Sequence, residues 1–376
     1  MQVGVPTEVK VNEFRVALTA AGVRELRAHE HEVLVQRGAG VGSGVTDVDY
    51  AAVGATLVET ADEVWEQADL VLKVKEPIAQ EYPRLRAGQV LFTYLHLAAS
   101  RACTEALLAS GTTAVAYETV TMPDRSLPLL APMSEVAGRM APQAAARFLE
   151  RYAGGRGVLM GGVPGVRPAQ VAVLGAGVSG MNAATIAVGM GADVTVLDLN
   201  PARLREADRL FGGRVRTLAS STHEIEQLLP ASDVVIGAVL VPGAKAPTLV
   251  TDEMVATMRP GAVLVDIAVD QGGCFSSTRA TTHDDPVFRV HDALFYCVAN
   301  MPGAVPVTST AALTNVTLPY VLRLADIGWR AAVSADPGLA AGVNIVDGAI
   351  TCPAVSAAFP DLPCATPSPV LAPVLR

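Results

Sequence analysis

Short apolar runs that are rich in valine and leucine alternate with amphipathic helical stretches along most of this sequence. In its first third, strands are expected at residues 2–5, 32–36, 70–74, 90–96 and 113–117. Helices are expected at 19–29, 47–53 and 100–110, and Thr19 is a candidate N-cap for the first of them. This alternation predicts a doubly wound parallel sheet.

A second series of the same kind begins at Gln170. Its strands are expected at 170–174, 193–197, 214–218, 233–239, 262–266 and 295–298. A helix at 133–152 and a glycine-rich connector at 154–165 precede the series, and a further helix is expected at 311–327. The predicted fold class is therefore α/β, with two doubly wound Rossmann-like domains at 1–128 and 129–304. Residues 305–376 are expected to return to the first domain.

The composition excludes several classes of protein. Of the 376 residues, 51% are hydrophobic and 17% are charged, which excludes a disordered or fibrous chain. A net charge of −9 argues against a nucleic-acid-binding surface, because phosphate contacts require clustered Lys and Arg. Two uncharged runs, 171–192 and 301–322, are interrupted by Gly or Pro, so we expect no membrane span.

The five cysteines are odd in number and include no CxxC motif, which is typical of neither a disulfide framework nor a zinc site. We therefore expect no metal and a reducing, cytoplasmic location. The N-terminal segment also lacks the apolar stretch of a secretory signal.

A G-x-G-x-x-G pattern follows the apolar strand 170–174 and opens a helix, which is the context of a dinucleotide-binding loop. Gly175 suits a tight turn, Gly177 suits close approach of a pyrophosphate, and Gly180 suits close packing of helix against strand. Asp198 ends the next strand, where a carboxylate can accept hydrogen bonds from a ribose and repel a 2′-phosphate. NAD is therefore favoured over NADP, although Arg203 lies nearby. The alternative is a structural turn with Asp198 as a helix cap.

Polar side chains follow several predicted strands, and ligands of open α/β sheets bind at those carboxyl ends. Arg15 can bind a carboxylate with two parallel hydrogen bonds, and Lys75 can bind a carboxylate or polarise a carbonyl. His96 can transfer a proton near neutral pH, and Asp270 can hold a water, an ammonium or an imine. Taken singly, an Arg or Lys in a loop is usually a solvated charge, and a His after a strand is more often a structural hydrogen-bond partner.

Long motifs, in order, make the chain resemble the alanine dehydrogenase family from residue 1 to about residue 330. They are NEFRVALT (12–19), KVKEP (73–77), YLHLA (94–98), LAPMSEVAG (130–138), GAVLVPGAK (237–245), VDIAVDQGG (265–273) and NMPGAVP (300–306). The nucleotide-binding subunit of proton-translocating transhydrogenase shares the fold and some of the motifs.

The resemblance implies oxidative deamination of L-alanine to pyruvate and ammonia with NAD, and the reverse reaction. Residues 1–128, completed by 305–376, would form the substrate domain and 129–304 the NAD-binding domain, with the active site in the cleft between them. Arg15 and Lys75 match the family's substrate-binding positions, and His96 and Asp270 its acid–base positions. A cytoplasmic homohexamer, with no nucleic-acid or membrane partner, is also implied.

The residues that match NAD contacts of the family, together with the glycine loop, form a larger set. They are Ser134, Gly175, Gly177, Val178, Gly180, Asp198, Arg203, Ser220, Val239, Leu240, Ile267, Asp270, Val298, Asn300 and Met301.

Two other functions remain open at this stage, a transhydrogenase-like exchange between nucleotides and a non-catalytic NAD-binding module. Neither would need the set Arg15, Lys75, His96 and Asp270. The sequence also departs from the family at Val307, where a basic residue is usual, and in residues 276–280 and the segment after Val333.

Overall fold

The computed structural model describes residues 1–239 and 246–366, and these form two units. One unit contains residues 1–133 and the described residues from 305 onwards, and the other contains residues 134–304. The sequence placed the first boundary at 128/129, just before a helix, whereas the chain divides within the first turn of that helix.

Strands and helices alternate in each unit. The strands are β1 (Gln2–Val5), β2 (Glu32–Gln36), β3 (Thr56–Val58), β4 (Leu70–Leu72), β5 (Val90–Thr93), β6 (Thr113–Ala116), β7 (Gln170–Leu174), β8 (Asp193–Asp198), β9 (Val215–Ala219), β10 (Val234–Gly237), β11 (Val263–Asp266), β12 (Val287–Val290), β13 (Ala293–Tyr296), β14 (Val343–Val346) and β15 (Ala349–Ile350). The helices are α1 (Ala20–Ala28), α2 (Asp47–Ala52), α3 (Ala61–Gln67), α4 (Arg101–Ser110), α5 (Ala131–Phe148), α6 (Val178–Gly189), α7 (Pro201–Phe211), α8 (Thr222–Leu228), α9 (Asp252–Ala256), α10 (Pro306–Ile327), α11 (Trp329–Ala335), α12 (Pro337–Gly342) and α13 (Pro353–Ala358).

The two sheets repeat one topology. Among the described residues, the first unit has an eight-stranded sheet in the order β15-β14-β6-β5-β4-β1-β2-β3, and the second a seven-stranded sheet in the order β12-β13-β11-β10-β7-β8-β9. In each sheet six parallel strands run in the order third, second, first, fourth, fifth, sixth, and antiparallel strands extend the sheet beyond the sixth. This is the doubly wound order of dinucleotide-binding folds. The two doubly wound α/β domains predicted from the sequence are confirmed.

The central parallel strand β7 of the second unit is buried on both faces. Val171 and Val173 face one apolar cluster, and Ala172 and Leu174 face the other. Because helices cover both faces of such a sheet, its strands read as continuous apolar runs. This explains why these strands could be predicted from the apolar runs in the sequence alone.

Some boundaries differ from the predicted ones. The strand expected at 90–96 ends at Thr93, and the one expected at 70–74 ends at Leu72. The short strands β3, β12, β14 and β15 were not predicted. Three of these are the antiparallel strands that extend the two sheets, and β14 pairs with β6 far away in sequence, so local pattern gave little signal.

Helix α10 begins at Pro306, earlier than the predicted start at 311, because proline fits the first turn of a helix, where its missing N–H is not needed. Val307, one of the departures noted in the sequence, is 62% exposed at this end of α10. None of the helices in residues 1–239 and 246–366 has both the length and the apolar content that crossing a bilayer requires.

Candidate active site

Each glycine in the loop between β7 and α6 has its own structural role. Gly175 has a φ of 107°, and a Cβ there would lie 2.8 Å from the carbonyl oxygen of Ala238. A Cβ on Gly180 would lie 1.7 Å from the carbonyl oxygen of Gly175, so only glycine lets α6 pack this closely. Among the described residues, a Cβ at Gly177 would meet Arg203 Nη1 alone, at 3.8 Å. The backbone is therefore open at Gly177, at the start of a helix whose N–H groups suit a phosphate.

Asp198, the last residue of β8, fixes this loop. Its Oδ2 accepts a hydrogen bond from the backbone N–H of Ala176, and its Oδ1 accepts one from Asn200, both at 2.7 Å. Arg203 Nη1 lies 3.6 Å from Oδ2. The N-cap of α7 is Asn200, whose side chain accepts from Ala202, so the alternative in which Asp198 caps the helix is wrong. The carboxylate instead lies at the glycine loop, where its remaining lone pairs can accept from a ribose.

Most of the other residues proposed to contact the cofactor follow the carboxyl ends of parallel strands in the second unit. Val178 opens α6, Ser220 follows β9, Val239 follows β10, Ile267 and Asp270 follow β11, and Val298, Asn300 and Met301 follow β13. Carboxyl ends of parallel strands share one edge of a sheet, so these residues lie along the same edge as the glycine loop. Ser134 lies on α5, and Leu240 lies outside the described residues.

Asp270 lies in a turn whose two ends are tied by a buried carboxylate. Asp266 ends β11, and its Oδ1 accepts from the N–H of Ala268 at 3.1 Å. Its Oδ2 accepts from the N–H of Cys274 at 2.8 Å and from Thr278 Oγ1 at 2.5 Å. Burial raises the pKa of Asp266 in spite of these bonds. Asp270 itself is exposed, so the turn presents it to solvent.

In the first unit, Arg15 is buried and held by the carboxylate of Glu13. Arg15 Nε donates to Glu13 Oε1 at 2.6 Å, and Nη2 donates to Oε2 at 2.5 Å. Burial disfavours the charge on Arg15, but the bonds to Glu13 outweigh burial and raise the pKa of Arg15. Nη1 lies 3.0 Å from Met133 Sδ. Glu13 therefore holds the guanidinium in place through its Nε and Nη2 atoms.

Lys75 follows β4, next to a buried ion network. Its backbone N–H lies 3.4 Å from Glu8 Oε2, and Lys75 is 9% exposed. Lys73, two residues earlier, is 1% exposed, and its Nζ lies 3.0 Å from Glu8 Oε2 and 2.9 Å from Glu81 Oε1. Burial alone would lower the pKa of Lys73, but the two carboxylates outweigh it and raise the pKa. Glu8 thus joins this charge network to the backbone of Lys75.

His96 follows β5, and its side chain is 45% exposed. Its ring stacks on that of Tyr94, with the centroids 5.9 Å apart and the planes 8° apart. The Tyr94 hydroxyl donates to the carbonyl oxygen of Leu129 at 2.5 Å. Burial raises the pKa of Tyr94, and Arg15 lies near enough to oppose that rise. The structure therefore places both Arg15 and His96 near Tyr94.

The sequence interpretation missed the carboxylates that hold these residues. Glu8, Glu13, Glu118 and Asp266 each accept hydrogen bonds from the backbone of a segment that carries a candidate functional residue. A signal was present, because Glu8 follows β1, Glu118 follows the strand predicted at 113–117, and Asp266 ends the strand predicted at 262–266. An acidic residue after a strand does not by itself reveal which backbone it accepts from.

Two family models match the chain. "Alanine dehydrogenase/PNT, N-terminal domain" matches residues 4–137, and "Alanine dehydrogenase/PNT, C-terminal domain" matches residues 141–353. Together they span most of both units.

Known proteins show the same relationship. The chain is 64% identical to alanine dehydrogenase of Mycobacterium tuberculosis over 372 residues, which is 99% of this chain and 100% of that protein. A solved structure of L-alanine dehydrogenase superimposes with a TM-score of 0.93 at 51% identity, covering 96% of this chain and 99% of that one. Transhydrogenase from Sinorhizobium meliloti gives a TM-score of 0.80 at 28% identity, over 94% of this chain and 100% of that chain. The chain belongs to the alanine dehydrogenase/PNT family.

Proposed function

We propose that this protein is an NAD-dependent alanine dehydrogenase. L-Alanine, NAD⁺ and water are converted to pyruvate, ammonium, NADH and a proton, and the reaction is reversible. The observation that carries this proposal is the 64% identity over essentially the whole length of a curated alanine dehydrogenase. The site supports it, because Arg15, Lys75 and His96 all follow parallel strands of one sheet, and the other sheet has a glycine loop of the dinucleotide-binding type.

The second unit fits a dinucleotide. Gly177 leaves the backbone open where a pyrophosphate would bind, and Asp198 lies beside the loop to accept from a ribose. The Asp198 carboxylate also disfavours a 2′-phosphate, which supports NAD over NADP. NAD bound by these residues would supply the acceptor for the hydride that leaves Cα of alanine.

The first unit fits a small amino acid. Arg15 binds the substrate carboxylate with its guanidinium, which Glu13 holds in place. Lys75 binds the carboxylate or polarises the carbonyl of pyruvate. His96, which lies next to Tyr94, and Asp270, which is exposed on its turn in the other unit, transfer protons during hydrolysis of the imine. In this proposal residues of the first unit bind alanine, and residues of the second unit bind the dinucleotide.

Exchange of hydride between two nucleotides is the alternative reaction. It would not use a carboxylate-binding arginine, and the chain is much less similar to the transhydrogenase, at 28% identity, than to alanine dehydrogenases. A non-catalytic module would likewise have no use for Lys75 and His96.

The decisive experiment is to measure NADH formation at 340 nm after L-alanine and NAD are added to the purified protein. Parallel reactions contain NADP in place of NAD, or L-serine in place of L-alanine. We expect NADH with L-alanine and NAD. No NADH from folded protein that binds NAD would reject the proposal and favour a nucleotide-binding module or another substrate.

Replacement of Lys75 by alanine is expected to abolish turnover and to leave NADH affinity nearly unchanged, because Lys75 belongs to the first unit. NADH affinity is measured by the fluorescence of the bound nucleotide. Lys10→Ala is a matched control, because Lys10 is 41% exposed and pairs with Glu76. Loss of NADH binding in Lys75→Ala would contradict the division of roles between the units.

We also propose that the protein is a homohexamer in the cytoplasm. The family resemblance supports the hexamer, and the five free cysteines support a reducing compartment. Light scattering after size-exclusion chromatography is expected to give about 233 kDa, six times the chain mass of 38.9 kDa. A mass of one or two chains would reject the hexamer.

A further inference from the structure

His96 has a backbone conformation that most residues avoid. Its φ is 47° and its ψ is 38°, in the left-handed region, where a residue with a Cβ is strained. Such strain at a functional position persists only when surrounding contacts hold it. Directly after His96 the chain forms a short 3-10 turn, Leu97–Ala99.

The contacts that hold this turn come from Glu118. Its Oε1 accepts a hydrogen bond from the backbone N–H of His96 at 2.6 Å, and its two oxygens lie 3.1 and 3.2 Å from the backbone nitrogen of Leu95. The same Oε1 lies 3.9 Å from His96 Nδ1. One carboxylate therefore accepts from two successive backbone N–H groups, those of Leu95 and His96, and also lies near the imidazole.

The sheet explains why Glu118 is within reach. Strands β5 and β6 are parallel neighbours, with Thr93 paired to Ala116, so the residues just beyond both strands lie side by side. Beyond Thr93 the ladder between these strands ends, and the N–H of the fully buried Leu95 requires an acceptor. The Glu118 carboxylate, whose side chain is 14% exposed, supplies it.

The ring of His96 is confined from a second direction by Tyr94. The planes of the two stacked rings are nearly parallel, and the Tyr94 hydroxyl donates a hydrogen bond to the carbonyl oxygen of Leu129. From this geometry we infer that Glu118 is the positioning residue of His96. It fixes the strained turn through the backbone, and its carboxylate and the Tyr94 ring both lie against the imidazole. The consequence for catalysis follows from the proposed function, in which His96 transfers protons.

The test compares three variants. Glu118→Gln keeps the length of the side chain but has one acceptor oxygen and no charge. Glu118→Asp keeps the charge but is too short to reach both N–H groups. Asp336→Asn is the matched control, because Asp336 also accepts from two backbone N–H groups, those of Gly338 and Leu339, at an N-cap where asparagine is equally suitable.

For both Glu118 variants we expect kcat for L-alanine oxidation to fall by about 10- to 100-fold, because hydrogen bonds to a charged acceptor are lost. The KM for L-alanine and the Kd for NADH should stay within about threefold, since Arg15 and the glycine loop are untouched; a general loss of structure would change all three constants. Asp336→Asn should keep the kcat of the wild type. Melting curves ensure that all assays are run below the unfolding temperature of each variant.

Hydrogen exchange gives a readout that does not depend on activity. The peptide that contains Leu95 and His96 should exchange faster in Glu118→Gln and Glu118→Asp than in the wild type, and at the wild-type rate in Asp336→Asn. Faster exchange with a wild-type kcat would overturn the positioning role, and so would unchanged exchange. If the wild type does not oxidise L-alanine, the proposed function fails. Faster exchange in the Glu118 variants would still support the hydrogen bonds from the backbone of Leu95 and His96 to Glu118.

Discussion

The two units use opposite means to build a ligand site on the same strand order. In the first unit the candidate site consists of buried charges, with Arg15 held by Glu13 and Lys73 held by Glu8 and Glu81. In the second unit it consists mainly of backbone and small residues, with Gly175, Gly177 and Gly180 at the start of α6. The first site depends on charge pairs, and the second on the absence of side chains.

The difference corresponds to the ligands. A small zwitterion such as alanine offers only charges and a methyl group, so recognition needs fixed charges, and a buried charge must be paired. A dinucleotide offers a long phosphate-containing backbone, for which helix N–H groups suffice if the chain can approach closely. We therefore expect charge removal to be most damaging in the first unit and added volume to be most damaging in the second.

The largest expected effect is on the stability of the first unit. Lys73→Met leaves Glu8 and Glu81 buried without their cation, which should lower the free energy of unfolding by about 3–5 kcal/mol. The free energy of unfolding is measured by urea denaturation followed by circular dichroism. Arg101→Met is the control, because its pair with Asp361 is exposed and should leave the midpoint nearly unchanged. Equal effects of the two variants would show that burial of the charge pair is unimportant.

The next effect is expected in the second unit. Gly180→Ala places a Cβ 1.7 Å from the carbonyl oxygen of Gly175 and should weaken NADH binding about 100-fold, because the loop must open. Gly189→Ala lies on the same helix with nothing within 4 Å and should bind NADH normally. The NADH affinities of the two variants are compared by fluorescence titration. Normal NADH binding by Gly180→Ala would contradict the idea that nucleotide binding depends on the close packing of α6 against the loop.

A smaller effect is expected when the partner of Arg15 is neutralised. In Glu13→Gln one of the two acceptor oxygens becomes an NH₂ group that faces the guanidinium, so the KM for L-alanine should rise about tenfold, with the Kd for NADH unchanged. Glu66→Gln, on the exposed face of α3, serves as the control. Steady-state kinetics measures both. A change in NADH affinity in place of KM would contradict the separation of the two sites.

The smallest effect concerns an exposed charge cluster in the first unit. Asp326 Oδ1 lies 2.8 Å from His31 Nε2 and 3.0 Å from His29 Nδ1, and the bond to His31 is the main cause of a lowered pKa of Asp326. The unfolded state then binds more protons, so the stabilisation is present above about pH 4 and is lost as the pH falls through the folded value.

Asp326→Asn should therefore cost less than about 1 kcal/mol at neutral pH, since the carboxylate is partly exposed. The difference in melting temperature between this variant and the wild type should shrink in acid. A difference that grows as the pH falls would contradict the sign of the pKa change.

The sequence predicted those parts of the molecule that depend on local pattern. The parallel strands of the second unit, the glycine loop and Asp198 at the end of β8 were readable, because buried parallel strands are rich in apolar residues and loop glycines occur at fixed spacing. The strand β14 was not readable, since it is defined by pairing with β6 more than two hundred residues earlier.

The carboxylates behind the site were hidden for a different reason. Glu13 and Glu118 are ordinary acidic residues in the sequence. Only the three-dimensional structure shows that Glu13 accepts a hydrogen bond from the side chain of Arg15 and Glu118 one from the backbone N–H of His96. The strain at His96 was equally invisible, because no residue pattern predicts a left-handed conformation at a histidine.

The return of the chain from the second unit to the first has a consequence for folding during synthesis. Residues 134–304 are continuous and can fold as soon as they leave the ribosome, whereas the edge of β6 stays open until residues 343–346 arrive to form β14. The nascent protein therefore passes through a stage with one finished sheet and one incomplete sheet. At that stage the edge of β6 can pair with another nascent chain.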